Sequence, residues 1–298
     1  MRTTKRFTPA VIARFIKQGR GQGTHADYAG WHRVTRGDPA SSGRSHLLRW
    51  RGRLRDLLSD GELGAQLFVT MLPDVDDCLE QYGLSPEDDM HPLAVYGERD
   101  PLTLFPGTLK LADELGIRHP RLSDAIGSVP WVPSSDLIVV FKTAGGARHL
   151  LALAFKPNGW EIRPRTRQLL LLEREFWARR DVPWLLITPG LYDSTVVLTL
   201  RRVACWALAE DVSSEHRRLA CLTARANPFS TVTQIIELLQ AQLPSLEIAQ
   251  RALWQSVWSG ELPIDLRRGW RPHLPLRQIS RDEFAAQNPI ASRRSAWT

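Results

Sequence analysis

Two apolar runs joined by a glycine-containing turn lie in the middle of this 298-residue chain, and a charged residue stands at each outer end. Residues 137–141 and 149–155 are rich in large and β-branched apolar side chains, and residues 144–147 read Ala-Gly-Gly-Ala. This pattern predicts a β-hairpin. Asp136 precedes the first run and Lys156 follows the second, so a short twisted hairpin would bring the carboxylate and the ammonium together.

A third charged residue completes a set of side chains that can hydrolyse a phosphodiester. Glu62 follows apolar residues spaced at roughly 3.6 positions, which predict a helix from Leu54 to Phe68. Two carboxylates can bind a hard divalent cation, and a lysine can orient the attacking water or help to deprotonate it. A single Asp or Lys at a strand end is more often an ordinary solvated terminus. The three residues in this order and setting favour a metal-dependent nuclease site.

Several short motifs, in one order along the chain, carry a family resemblance between about Gly19 and Thr188. They are Gly19-Arg20-Gly21-Gln22-Gly23 with Tyr28 and Trp31, and residues 41–46, 57–63, 116–120, 134–136, 155–157, 172–177 and 182–184. In these motifs the chain resembles the TnsA family, the endonuclease subunits of Tn-seven-like heteromeric transposases. The resemblance implies a restriction-endonuclease-like core, with Glu62, Asp136 and Lys156 at the catalytic positions and Glu173 at a further acidic position.

One position departs from the family pattern. The family commonly has Gln two residues before the lysine, whereas this chain has Ala154, whose side chain cannot bind metal. The implied cofactor is Mg²⁺, with Mn²⁺ as a substitute. Its ligands would be Glu62, Asp136, a main-chain carbonyl near Phe155, water and phosphate oxygens, an arrangement that Mg²⁺ tolerates. The departure leaves open the number of metal ions and a weak or inactive site.

Composition agrees with a protein that handles nucleic acid inside the cell. The formal net charge of +7 favours a polyanionic partner. No apolar run approaches the roughly 20 residues of a membrane span, and residues 1–20 lack the apolar stretch of a signal peptide, so we expect a cytoplasmic, nucleoid-associated protein. Cys78, Cys205 and Cys221 lack CxxC spacing, which predicts reduced thiols and no zinc site.

Two polar stretches near the N-terminus allow other interpretations. Residues 19–23 are rich in glycine, but they lack the GK[ST] ending of a phosphate-binding loop, so a nucleotide pocket is not expected. Residues 41–46 predict a polar turn in which Arg44 and His46 could contact a DNA backbone. The same turn could instead cap the start of a following helix, and the sequence leaves both interpretations open.

The pattern of elements changes at a turn over residues 189–192, which predicts domains 1–188 and 191–298. In the first, helices over 107–116 and 167–180 and a strand over 184–188 indicate an α/β fold with a mixed central sheet. In the second, the predicted helices are 196–210, 230–243 and 246–258. Predicted strands over 262–266 and 276–279 flank a basic tip with Arg267, Arg268 and Arg271, a pattern typical of a winged-helix-like domain. Such a domain could bind DNA or dock protein.

The resemblance implies an Mg²⁺-dependent DNA endonuclease subunit that cleaves the 5′ ends of a transposon during cut-and-paste transposition. The implied partners are double-stranded DNA at transposon ends, a TnsB-type transposase and a TnsC-type AAA+ ATPase. Two alternatives stay open: a stand-alone restriction or repair nuclease, and a catalytically weak subunit that bridges DNA to an assembly. The sequence does not specify the target site, the cleavage offset, any guide-RNA association or the stoichiometry.

Overall fold

The computed structural model describes residues 7–35, 44–125 and 127–297, which form a mixed α/β structure of two compact units. The first unit comprises the described residues up to Leu63, Asp74–Thr188 and the residues from Ser295 onward. The second comprises Gly64–Pro73 and Pro189–Arg294. The break after Thr188 falls where the sequence pattern changes. Gly64–Pro73 belong to the second unit although they lie in the predicted first domain, and the residues from Ser295 belong to the first unit although they lie in the predicted second domain.

A mixed sheet of four strands forms the centre of the first unit. The described strands are β1 (His46–Trp50), β2 (Arg53–Leu57), β3 (Val75–Gly83), β4 (Asp89–Met90), β5 (Leu104–Phe105), β6 (Arg121–Ser123), β7 (Ser128–Pro130), β8 (Ser134–Lys142), β9 (Arg148–Phe155) and β10 (Trp184–Ile187). The sheet has the order β10-β9-β8-β3, in which β9 and β10 are parallel and the other neighbours are antiparallel. The predicted hairpin is therefore confirmed as β8 and β9.

Helices cover this sheet. The helices that begin in the first unit are α1 (Pro9–Lys17), α2 (Asp60–Thr70), α3 (Thr108–Glu114) and α4 (Pro164–Ala178). One face of the sheet, including Ile138 and Ala152, shares an apolar cluster with Leu172 and Trp177 of α4. Burial of this face fixes the register of the strands, since a shift by one residue would expose its apolar side chains. The predicted helices near α3 and α4 are confirmed.

The helix predicted from Leu54 is wrong at its start, because α2 begins at Asp60. Residues 53–57 instead form β2, which pairs with β1 in a separate hairpin. Arg53 and Arg55, two positions apart, are both buried, and Arg53 donates to both carboxylate oxygens of Glu80 in β3. The buried positions that alternate along this strand are therefore occupied by arginines. The spacing of the leucines suggested a helix that does not form here.

The second unit is mainly helical. Its further helices are α5 (Ser194–Ala207), α6 (Ser214–Ala226), α7 (Val232–Gln240), α8 (Leu246–Trp258) and α9 (Arg281–Ala286), and the residues of α2 from Gly64 onward also belong to it. The buried helix α8 contacts α5, α6 and α7. Three helices lie close to their predicted positions, whereas the sequence did not predict α6, which is rich in polar residues.

The predicted strands on either side of the basic tip are not formed. A single antiparallel bridge joins Ile264 to Gln278, and a short 3-10 turn occupies Leu266–Arg268. Pro263 lies inside the first segment and Pro275 directly precedes the second, and neither residue has a backbone donor for a ladder. Beyond the turn, Trp270 stacks on Trp206 with ring centroids 5.7 Å apart, so the segment bends inward instead of forming the tip of a hairpin.

Residues near the end of the described chain return to the first unit. The amide of Ala296 donates to the carbonyl of Leu186 over 2.8 Å, and Leu186 donates to the Ser295 hydroxyl over 3.1 Å. These bonds lie along β10, the edge strand of the sheet. The Trp297 ring stacks on Trp160 at 5.5 Å. No helix among the described residues has the length and apolar character needed to cross a membrane.

Candidate active site

The four acidic and basic residues predicted from sequence line one cleft of about 510 Å³ in the first unit. Glu62 lies in the first turn of α2, Asp136 near the start of β8, Lys156 directly after β9 and Glu173 in α4. The structure thus brings together residues that are more than a hundred positions apart in sequence.

Gly61 explains how the first turn of α2 reaches the end of β9. A Cβ atom added at Gly61 would lie 1.8 Å from Cε1 of Phe155, far inside contact distance. A side chain at residue 61 would therefore force the Phe155 ring or the helix to move. This approach places Glu62 beside the strand end that carries Lys156. The role of Gly61 was not predicted from sequence.

Glu62 is buried and held by three hydrogen bonds. Its Oε2 accepts from the amide of Leu58 and from Nε2 of Gln81, each over 2.8 Å, and its Oε1 accepts from the Ser59 hydroxyl over 3.1 Å. Ser59 in turn accepts from the Glu62 amide over 3.1 Å, so the pair closes the helix start much as a capping box does. Oε1 keeps one acceptor position for a further ligand.

Asp136 and Lys156 are joined through the end of β9. The amide of Phe155 donates to Oδ2 of Asp136 over 2.6 Å. The Lys156 Nζ lies 3.7 Å from the same oxygen and donates to the Phe155 carbonyl over 2.9 Å. Among the described residues, none donates a hydrogen bond to Oδ1 of Asp136, so this oxygen is available to a ligand in the cleft.

Glu173 approaches Lys156 from α4 and is fixed by neighbours in the sheet. Its Oε1 accepts from the Ser135 hydroxyl over 2.6 Å and from Nε1 of Trp184 over 3.2 Å. Trp177 donates to the same Ser135 hydroxyl over 2.8 Å. These contacts hold the third carboxylate in one orientation.

Three carboxyl groups in this site face one ammonium group. Burial, together with the charge of Asp136, raises the pKa of Glu62 to about 8. Burial also raises the pKa of Glu173 to about 7, against the attraction of Lys156. Burial alone would lower the pKa of Lys156, but the charges of Asp136, Glu173 and Glu62 outweigh it and raise that pKa. The site therefore has more acidic groups than basic ones, and a bound cation would favour the ionised form of its carboxyl groups.

Sequence comparison with known proteins identifies the family. No protein family model matches the chain. The chain is 32% identical over 233 residues to the transposon Tn7 transposition protein TnsA of Escherichia coli, an alignment covering 76% of this chain and 72% of that protein. The chain belongs to the TnsA family. The resemblance predicted from the motifs is confirmed.

The TnsA-family departure at Ala154 has a packing explanation. Ala154 is 1% exposed and lies in an apolar cluster with Trp160, Leu170 and Leu186. Its methyl group therefore packs against aromatic and aliphatic side chains of this cluster. Within the described residues, no three His, Cys, Asp or Glu side chains are grouped so that they alone could hold a metal ion.

Arg44 and His46, which the sequence predicted to contact DNA, are not among the residues that line the cleft of this TnsA-family chain. Residues 41–43 of the predicted polar turn lie outside the described residues. Arg44 is exposed, and His46 begins β1, so the interpretation of this turn as a helix cap is wrong. The His46 Nε2 lies 2.9 Å from Oδ1 of Asp60.

The three arginines of the predicted basic tip, Arg267, Arg268 and Arg271, are exposed. Arg267 is paired with Asp265, with its Nε 2.7 Å from Oδ1, and Arg268 donates to the Pro275 carbonyl over 3.4 Å. Contact of these arginines with DNA stays a prediction, as it does for Arg44 and His46.

Proposed function

We propose that this TnsA-family protein is the metal-dependent DNA endonuclease subunit of a Tn7-type transposase, which cuts the 5′ ends of the transposon. The observation that carries the proposal is the convergence of Glu62, Asp136 and Glu173 around Lys156 in one cleft. Relationship to a transposition protein of transposon Tn7 supports DNA as the substrate. The mixed sheet with a flanking helix agrees with a restriction-endonuclease-like core, which is part of this proposal.

The side chains of the cleft fit a magnesium ion. Oε1 of Glu62 and Oδ1 of Asp136 each have an acceptor position left, and carboxylate oxygens are the ligands that Mg²⁺ prefers. Mg²⁺ needs only one or two protein carboxylates because it keeps several waters. We propose Mg²⁺ as the natural cofactor and Mn²⁺ as a substitute. A bound Mg²⁺ would lower the pKa of a coordinated water and polarise the scissile phosphodiester.

Lys156 has the character of a charge-stabilising group. Because nearby carboxylates raise its pKa, Nζ keeps its proton and cannot readily accept one from water. Its hydrogen bond to the Phe155 carbonyl and its approach to Asp136 hold the ammonium group at the end of β9, beside the proposed metal ligand Asp136. We therefore assign it to orienting the attacking water or the phosphate and to stabilising negative charge as it develops. Hydrolysis would leave a 5′-phosphate and a 3′-hydroxyl.

The remaining parts of the proposal concern partners and setting. We propose that the protein works in the cytoplasm on double-stranded DNA at transposon ends. A TnsB-type transposase would make the 3′ cuts and a TnsC-type AAA+ ATPase would recruit the complex. The second unit, which we propose to be winged-helix-like, would supply either the docking surface or a DNA contact through Arg267, Arg268 and Arg271.

Cleavage of end-containing DNA with and without the partners tests this function. The purified protein, alone or with a TnsB-type transposase and a TnsC-type ATPase, is incubated with Mg²⁺ and DNA that carries transposon ends. Nicks at the 5′ ends that need the transposase support the proposal, and Asp136→Ala provides the inactive control. Cleavage without any partner would indicate a stand-alone nuclease. DNA binding without cleavage in any mixture would indicate a bridging subunit.

A further inference from the structure

Gln81 lies beside the Glu62 carboxylate of the proposed metal site. In the pairing of β3 with β8, Glu80 is opposite Leu137 and Tyr82 is opposite Ser135, so Gln81 occupies the position opposite Asp136. Its Nε2 donates to Oε2 of Glu62 over 2.8 Å. The residue is 2% exposed and lines the cleft. One side chain thus touches one proposed ligand and is the cross-strand neighbour of the other.

The backbone of Gln81 has an unusual conformation for a strand residue. Its φ angle is +50°, in the left-handed region that residues other than glycine rarely adopt. Its carbonyl accepts from the amide of Trp31 over 2.9 Å. Such strain persists where surrounding contacts over-determine the conformation, often at functional sites. Here the conformation accompanies the approach of the side-chain amide to Glu62.

We infer that Gln81 is a positioning residue of the nuclease site, which holds the Glu62 carboxylate so that Oε1 faces the cation. The inference rests on the proposed function. Two donors, the Leu58 amide and Gln81 Nε2, occupy Oε2 and stop the carboxylate from rotating. The Ser134 hydroxyl donates to Oε1 of Gln81 over 3.5 Å, and the ionised Glu62 carboxylate, which can only accept, requires the amide orientation that points Nε2 at Glu62. Without this amide, Glu62 would lose its fixed orientation.

Two substitutions separate the side-chain role of Gln81 from its backbone strain. Gln81→Ala removes the amide and keeps the strain, whereas Gln81→Gly removes both, because glycine adopts positive φ freely. We expect both variants to bind Mg²⁺ and Mn²⁺ about 10- to 100-fold more weakly than the wild type, as is typical when the partner of a metal ligand is lost. Calorimetric titration with the metal alone measures this, and Mg²⁺-dependent nicking provides a second readout.

A matched control tests whether loss of any buried glutamine has the same effect. Gln287 is buried in the second unit, where it accepts from the amide of Leu266 over 2.8 Å and donates to the carbonyl of Ile264 over 3.0 Å. Gln287→Ala should bind metal like the wild type. Thermal melting of all variants shows that each is folded at the temperature of the titration. If Gln81→Ala is unfolded there, Gln81→Gly, which relieves the strain, decides the outcome.

A double variant shows whether Gln81 acts through Glu62. In a Glu62→Gln background, Gln81→Ala should weaken metal binding by less than about three-fold further, because coupled residues are not additive. Wild-type metal affinity in either folded Gln81 variant would overturn the inference, as would full additivity with Glu62→Gln. A wild-type protein that neither binds Mg²⁺ nor cleaves DNA would instead refute the proposed function. The two failures are therefore distinguishable.

Discussion

Two groups of charged side chains lie in the first unit, and they are balanced in different ways. In the arginine cluster, Glu80 is paired with Arg53 and Arg55, so the buried carboxylate faces two guanidinium groups. In the carboxylate cluster, made of Glu62, Asp136 and Glu173, one ammonium group from Lys156 faces three carboxyl groups. Buried charges paired inside the protein indicate a structural role, whereas we propose that the carboxylate cluster is completed by a bound cation.

The largest expected effect comes from the carboxylate cluster. Asp136→Ala should reduce Mg²⁺-dependent cleavage to less than about a tenth of the wild-type rate, because loss of a metal ligand costs several kcal/mol of transition-state stabilisation. The fold should survive, since Asp136 is partly exposed at the edge of the cleft. Single-turnover nicking beside a thermal melt measures both. A higher residual rate in a folded variant would show that Asp136 is not a ligand.

The arginine cluster should respond in the opposite way. Glu80→Ala leaves the buried Arg53 without its carboxylate and Arg55 with only Asp77, 3.9 Å away, and breaking a buried pair in this way typically costs about 3–5 kcal/mol of stability. We expect the loss in denaturant unfolding, and any surviving folded protein should still bind Mg²⁺. A variant of normal stability that no longer binds metal would reverse the roles assigned to the two clusters.

The imbalance of the carboxylate cluster predicts a dependence of stability on pH. Glu62 has an ordinary pKa of 4.5 and a pKa of about 8 in the folded protein, so the folded state holds this proton more tightly. Its contribution to stability is therefore complete below pH 4.5 and is lost as the pH rises through about 8. In EDTA, the free energy of unfolding should fall by a few kcal/mol across this range.

Glu62→Gln provides the control for this pH dependence, because its side chain cannot ionise. The variant should show a clearly smaller fall in the free energy of unfolding between the same two pH values. An equal fall in both proteins would mean that other groups cause it and that Glu62 is not held in an unbalanced cluster.

The smallest expected effect tests whether the carboxylate cluster can accept one more acid. Ala154→Glu places a longer side chain among Trp160, Leu170 and Leu186, and overfilling of this kind costs about 1–3 kcal/mol. We expect a lower melting temperature and an unchanged Mg²⁺ concentration for half-maximal nicking. Ala154→Gln should behave similarly. A lower Mg²⁺ requirement would show that the native site lacks a ligand that residue 154 can supply.

The same contrast explains which parts of the fold could be predicted from sequence. The β8 and β9 hairpin was predictable because its strands are apolar on both sides of a glycine turn. The strand β3 was not, because Asp77 and Glu80 give it the polarity of a loop, and only pairing with distant arginines makes their burial tolerable. Local patterns reveal apolar burial, but they do not reveal burial of charges that are satisfied by another part of the chain.

The residues of the site also divide into those that sequence could predict and those that it could not. Glu62, Asp136, Lys156 and Glu173 were predicted to act together from motif resemblance, and the structure gathers them in one cleft. Gly61 and Gln81 were missed, because their importance depends on contacts made in three dimensions. A glycine directly before Glu62 was the one signal in the sequence, and without Phe155 as its neighbour it carried no specific meaning.

The hydrogen bonds that Ser295 and Ala296 make along β10 have a consequence for synthesis. About a hundred residues separate Ile187 from Ser295, and at roughly 5–20 residues per second the ribosome needs about 5 to 20 s to translate them. During that time the edge of β10 is open to pairing with another nascent chain on the same messenger. A protein truncated after Thr188 would keep this edge open permanently, and we expect it to aggregate unless residues 295–297 are supplied to cover β10.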